Sequence, residues 1–197
     1  MGHGHKFDVK KLERLRDPER LTYLDPEKIW SVIGRGGVKT VVDLGAGVGV
    51  FSIAFSRNIP AGTVYACDLS AEMLHHLKEA LQAEGVANVV PVKTGEVAVP
   101  LEGGIADVVF MVNLHHEFDA PAESLRECRR LLRPGGLVAV IDWKPQESPS
   151  GPPLHVRVPP QTVREQLRGA GFEDVQSHDL LPHHYLITSR RPVAESE

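Results

Sequence analysis

Cysteine is scarce in this chain: Cys67 and Cys128 are the only two among 197 residues, and no Cys-x-x-Cys pair occurs. Two thiols so placed make no disulfide framework, so a reduced compartment, the cytoplasm, is the expected location. Long apolar runs are missing as well. No stretch approaches the roughly 20 apolar residues that a membrane helix needs. The amino-terminal MGHGHKFDVKKLERL lacks the apolar centre of a secretory signal. Nor is there an excess of positive charge. Twenty-two Lys and Arg stand against 26 Asp and Glu, a formal net charge of −4. Neither nucleic acid nor an anionic membrane is therefore expected as the main partner. A phosphate loop ending in Gly-Lys-Ser/Thr and internal repeats are both absent.

Residues 1–36 read as a polar, helical amino-terminal arm. Asp17-Pro18-Glu19 and Asp25-Pro26-Glu27 each offer an Asp cap, Pro at the first helical position and an early Glu. Residues 37–190 read as one domain in which strand and helix signals alternate. Strands are expected at Thr40–Leu44, Thr63–Asp68, Val89–Lys93, Val108–Val112 and Leu137–Asp142. Helices are expected at about Gly49–Arg57, Ala71–Ala83, Ala120–Leu132 and Thr162–Ala170. Such alternation predicts an α/β fold, a mostly parallel sheet with helices on both faces. Phe172–His178 and Tyr185–Ser189 are close enough to form a closing hairpin. The tail 191–197 reads as disordered.

The first strand runs into Val41-Val42-Asp43-Leu44-Gly45-Ala46-Gly47-Val48-Gly49. A glycine-rich turn between a strand and a helix is a nucleotide-binding position. The dinucleotide fingerprint needs its third glycine at position 50, which is Val50. Asp43 sharpens the choice, because a carboxylate beside the turn repels a pyrophosphate and attracts an ammonium. S-adenosylmethionine carries an ammonium, a sulfonium and no phosphate, and glycines let the main chain pack against its amino acid part. Asp68 ends the second strand, where an acid accepts both ribose hydroxyls. Gly95-Glu96 follows the third strand, placed to meet an adenine amino group.

With these motifs the chain resembles the class I S-adenosylmethionine-dependent methyltransferases, in their small-molecule branch with the quinone C-methyltransferases. Val41 to Gly49 matches their first motif. Tyr65-Ala66-Cys67-Asp68-Leu69-Ser70 with Met73 is similar to the second. Arg129-Arg130-Leu131-Leu132-Arg133-Pro134-Gly135-Gly136 is similar to the segment entering their fifth strand. The resemblance implies a Rossmann-like sheet of seven strands, the last antiparallel. It implies an S-adenosyl-L-methionine site made by Asp43, Gly45, Ala46, Gly47 and Gly49, then Asp68, Leu69 and Met73, then Gly95, Glu96, Val97 and Asn113. Glu96 stands where many members carry Asp. The arm would fold over the cofactor, with Phe7 and Tyr23 closing it.

The loop after the fourth strand, Asn113-Leu114-His115-His116-Glu117-Phe118, faces donor and acceptor in the resembled fold. It lacks the Asn/Asp-Pro-Pro-aromatic signature of enzymes that methylate nucleic acid or glutamine nitrogen. Two cysteines are too few for arsenite chemistry. A small-molecule oxygen, carbon, nitrogen or sulfur acceptor remains. His116 and His115 are candidate bases, Glu117 a candidate to orient one imidazole, and Asp142 a candidate pocket residue. The Pro-rich 144–160, with His155, and the tip with His183, His184 and Tyr185 are candidate lids. No metal is expected, since His3-x-His5 is the only compact ligand pair. Apolar residues near Trp30 allow a homodimer. The alternative function is a protein that binds S-adenosylmethionine as a sensor without turning it over. An NAD-dependent reductase is disfavoured by Val50 and Asp43.

Overall fold

The computed structural model describes Leu15 and residues 17–193. Phe7 and the pair His3 and His5 lie outside them. A short helix α1 (Arg20–Tyr23) and a helix α2 (Pro26–Ile33) precede the sheet. The expected Asp25 cap is present: its side chain accepts hydrogen bonds from the backbone N–H groups of Glu27 and Lys28, with Pro26 at the first helical position. Alternation then proceeds through β1 (Thr40–Leu44), α3 (Val50–Ser56), β2 (Thr63–Asp68), α4 (Ala71–Glu84), β3 (Val89–Lys93) and β4 (Ala106–Val112). It continues with α5 (Pro121–Leu131), β5 (Leu132–Trp143), α6 (Pro160–Gly169), β6 (Glu173–His178) and β7 (His184–Arg190).

The seven strands form one sheet in the order β3-β2-β1-β4-β5-β7-β6. β7 runs antiparallel to both of its neighbours, and the other pairings are parallel. The expected hairpin therefore closes the sheet. Alternate strand residues feed two cores, as a period of two requires. Val41, Phe110 and Ile141 meet Phe55, Leu77 and Ile29 of α3, α4 and α2 on one face. Val42, Met111 and Val140 meet Leu125 of α5 and Leu167 of α6 on the other. Trp30 packs on Phe55 with ring centroids 5.2 Å apart, so this aromatic helps to dock α2.

Two boundaries depart most from expectation. β5 starts at Leu132, directly after α5, and Pro134-Gly135-Gly136 lie inside the strand. The register against β4 shifts there, with Leu132 opposite Ala106 and Leu137 opposite Val108. The breaker residues make a bulge that lets one strand absorb the turn. Arg191, expected in a disordered tail, is tied down. Its guanidinium donates to the carbonyls of Leu132 (2.6 Å) and Arg129 (3.1 Å) at the end of α5. Cations at a helix carboxyl terminus satisfy free carbonyls and meet its negative dipole.

Candidate active site

Strand order reverses between β1 and β4, and ligands collect in the crevice outside the carboxyl ends at such a switch point. The two chains leaving these strands touch there. A Cβ on Gly45, which has φ +70°, would stand 2.9 Å from Leu114 Cδ1, just past β4. Gly49 (φ +84°) is equally constrained, since a Cβ there would overlap Leu77 of α4. The glycine turn is thus shaped by its neighbours and by left-handed backbone that other residues rarely adopt.

Asp43 is 3% exposed, and the Ser52 hydroxyl of α3 donates to its Oδ2 at 2.6 Å. Burial pushes its pKa up to about 7; the Ser52 bond and Arg20 act against that, and Asp68 adds to it. A buried carboxylate held so near neutrality is ready to pair with an incoming cation. Asp68 accepts from Gly47 N–H at 2.8 Å through Oδ2 and from Ser70 N–H at 2.7 Å through Oδ1. It thereby braces the glycine turn of one strand from the end of the next. Ser70 caps α4 through Met73 N–H, Leu69 is exposed, and Lys93 donates to the Leu69 carbonyl at 2.7 Å. Gly95 N–H bonds to Ala98 carbonyl, which bends the loop holding exposed Glu96 and half-buried Val97 beyond β3.

Beyond β4, Asn113 takes a left-handed conformation (φ +56°), and its N–H donates to Ile141 carbonyl at 2.9 Å. Its buried Oδ1 has no partner among the described residues. Left-handed backbone and an unsatisfied buried acceptor thus coincide at this strand end. These features fit an S-adenosylmethionine ligand: a buried carboxylate for the ammonium, a turn without side chains for the amino acid part, Asp68 for the ribose, and an orphaned amide oxygen at the end of β4.

The histidines separate clearly. His116 Nδ1 lies 2.8 Å from Asp142 Oδ1, and the His116 backbone N–H donates to Asp142 Oδ2 at 3.0 Å. Trp143 N–H adds a third bond to the carboxylate. Burial alone would lower the His116 pKa, yet the bond to Asp142 and its charge outweigh this and raise it above the ordinary value. Glu117, expected to orient an imidazole, stands 4.0 Å from the other ring nitrogen and is exposed, so Asp142 takes the orienting place. His115 is 2% exposed and packs edge-on to Phe118; burial lowers its pKa, with Asp142 and Gln166 acting the other way.

Two features carried little sequence signal. Tyr23, Trp143 and His184 form a stack, with His184 4.0 Å from Trp143 and 5.9 Å from Tyr23 between ring centroids. His184 was expected on a lid; it lies fully buried in β7, opposite Trp143 in the register. Arg157 gathers the Pro-rich loop, donating to the carbonyls of Gln146 (2.7 Å), Pro152 (2.9 Å) and Lys144 (3.1 Å) while standing over the Trp143 ring. His155 lies in a one-turn helix of that loop. Ser52 and Arg157 were legible only as a helix serine and a loop arginine. Among the described residues no group of three His, Cys, Asp or Glu side chains is placed to hold a metal. No helix there is long and apolar enough to cross a membrane. A cleft of about 410 Å³ lined by Arg126, Arg129, Arg130 and Arg191 contains none of the strand-end residues.

A doubly wound sheet closed by an antiparallel seventh strand, with an acid at the end of β1 and another at the end of β2, defines the Rossmann-like methyltransferase class. The chain belongs to the Methyltransferase domain family (Methyltransf_11), whose profile matches residues 42–140. It is similar to the crystal structure of a SAM-dependent methyltransferase from Aquifex aeolicus: 32% identical, TM-score 0.85, covering 94% of this chain and 99% of that one. The ubiquinone/menaquinone biosynthesis C-methyltransferase UbiE of Hahella chejuensis is 29% identical over 62% of this chain and 52% of its own length. The demethylmenaquinone methyltransferase of Lactococcus lactis is 31% identical over 52% of this chain and 41% of its own. The chain thus spans about half the length of the curated relatives it matches. It is an S-adenosylmethionine-dependent methyltransferase by family.

Proposed function

We propose that this methyltransferase acts on a small molecule whose methyl-accepting atom, an oxygen or carbon, must lose a proton, and that His116 removes it. The observation that carries this is the 2.8 Å contact between His116 Nδ1 and Asp142 Oδ1. That contact places the imidazole proton on Nδ1 and leaves Nε2 as the acceptor. An amine acceptor attacks as the free base and a thiol ionises readily, so an oriented histidine–aspartate pair is most useful to a hydroxyl or an activated carbon.

Bound S-adenosylmethionine supplies an electrophilic sulfonium methyl for in-line displacement. The chain does the rest. Asp43, in its ionised form, takes the ammonium, while the Gly45–Gly49 turn lets the main chain approach. Asp68 takes the ribose hydroxyls, and Asn113 Oδ1 gains the donor it lacks. His116 Nε2 takes the proton of the acceptor, and Asp142 stabilises the imidazolium that results. Tyr23, Trp143 and the Arg157-gathered loop stand beside this pair and exclude water. Placement and proton removal are the two contributions required, since the electrophile is already activated.

His115 is too buried to meet the acceptor, and Glu117 stays at the rim. The acceptor loop and the net negative charge support a small molecule over nucleic acid or membrane. The ubiquinone/menaquinone C-methyltransferases among the curated relatives support a carbon acceptor. A homodimer through the α2 region is part of this proposal, although Trp30 is already engaged with Phe55. The test is isotopic. Protein, methyl-labelled S-adenosylmethionine and a small-molecule cell extract should yield a labelled organic product, resolved by chromatography, with the label on oxygen or carbon. Label on nitrogen, or only in macromolecules, would reject the reading.

A further inference from the structure

Arg20 opens α1 and leans over the Phe51 ring of α3, with its guanidinium carbon 5.5 Å from the ring centre. Leu15, five residues earlier, lies against the glycine turn, its Cδ1 3.6 Å from where a Cβ on Gly47 would stand. One turn further on, Tyr23 joins the stack with His184 and Trp143. Arg20 is therefore held between the glycine turn and the acceptor side of the crevice. Loss of solvent lowers its pKa, and the charge of Asp43 reaches it and acts the other way.

Its partners are few. Among the described residues no carboxylate pairs with Arg20, and its one hydrogen bond is a long contact of 3.5 Å to the Leu15 carbonyl. Most N–H donors of this planar fork, suited to bidentate carboxylates, have no acceptor among the described residues. A poorly hydrated guanidinium without an anion is costly unless a ligand supplies one. Asp43, the buried carboxylate whose charge reaches Arg20, is engaged with Ser52.

We infer that Arg20 receives the α-carboxylate of the cofactor's methionine part, so that Arg20 and Asp43 grip the two opposite charges of one zwitterion. This rests on the S-adenosylmethionine reading of the site. It gives the amino-terminal segment a binding duty beyond covering the cofactor: α1 docks through the same side chain that reads the ligand. A ligand lacking the carboxylate then has no use for Arg20.

Titration calorimetry with S-adenosylmethionine and with its decarboxylated form separates these contributions. Wild-type protein should prefer the carboxylated ligand by about ten- to a hundredfold, the range of a charge-assisted bidentate pair. Arg20→Ala should erase that preference, weakening S-adenosylmethionine and leaving the decarboxylated form unchanged. Arg20→Gln keeps the stem over Phe51 and should do the same, which decides the matter if the alanine variant folds poorly. Equal weakening of both ligands, or a preference that survives in the variants, would overturn the inference. Wild-type protein that binds neither ligand would overturn the cofactor reading along with it.

Discussion

At the scale of residues, the site rests on two carboxylates with different surroundings. Asp43 is buried with the Ser52 hydroxyl as its side-chain donor, and burial outweighs that bond and the charge of Arg20. Asp142 receives bonds from the His116 ring, the His116 N–H and the Trp143 N–H, and through its bond and charge it raises the pKa of its histidine. His116→Ala should lower kcat by about 10²–10⁴-fold while S-adenosylmethionine binding is kept. The rise of kcat/KM with pH should fall above 6.5, the unshifted histidine value. Asp142→Asn removes the charge that raises the histidine, so the rising limb should move to lower pH as the plateau drops. A rising limb unmoved in Asp142→Asn would mean that the titrating group is another one. The sequence singled out both residues, 26 positions apart, but not their contact. Glu117 was the nearer acid in the chain, and a one-turn helix aims it outward.

At the scale of elements, turns and loops carry the function because helices and strands hold them from below. Gly49 caps α3 in left-handed backbone with Leu77 against it. Gly49→Ala combines strained backbone with overpacking and should cost about 2–4 kcal/mol, read as a lower midpoint in denaturant unfolding. The Pro-rich loop is organised from within by Arg157, which is 8% exposed. Arg157→Ala strips several carbonyls of their donor at once. Proteolysis should then nick residues 144–157 faster, with methyl transfer reduced and cofactor affinity little changed. Equal loss of cofactor affinity would place the loop over the donor instead of the acceptor. Strand ends such as Thr63–Asp68 and Val89–Lys93 were legible from apolar runs and flanking polar residues. The start of β5 was not, because Pro134-Gly135-Gly136 reads locally as a break and only pairing with β4 makes it a bulge.

At the scale of the whole molecule, Asp43 makes stability depend on pH in the ligand-free protein. Its folded pKa, about 7, lies above the unshifted 3.8. The folded state therefore holds a proton that the unfolded chain releases between these values. Stability from this group is full below about pH 4 and lost as pH rises through about 7, on the order of a few kcal/mol. Melting temperature should fall over that window in wild-type protein, and Asp43→Asn should flatten the fall. A cationic ligand beside Asp43 favours the ionised form, so S-adenosylmethionine should bind more tightly at pH 8 than at pH 6. Affinity that is flat over this range would remove Asp43 from the ammonium site.

The sequence by itself determined the class of fold and the donor. Periodicity sets each element locally, and the order of strand, glycine turn and acid is a one-dimensional signal that survives without coordinates. Asp43 favoured an ammonium over a phosphate on the ground of charge alone. Tertiary structure decided which polar groups meet. It joined His116 to Asp142 across β4 and β5, buried His115 and His184, set Ser52 against Asp43 and brought Arg20 over the Phe51 ring. Those meetings depend on sheet register and on the direction each side chain takes from its pleat, and residues far apart in the chain have no local pattern that records them.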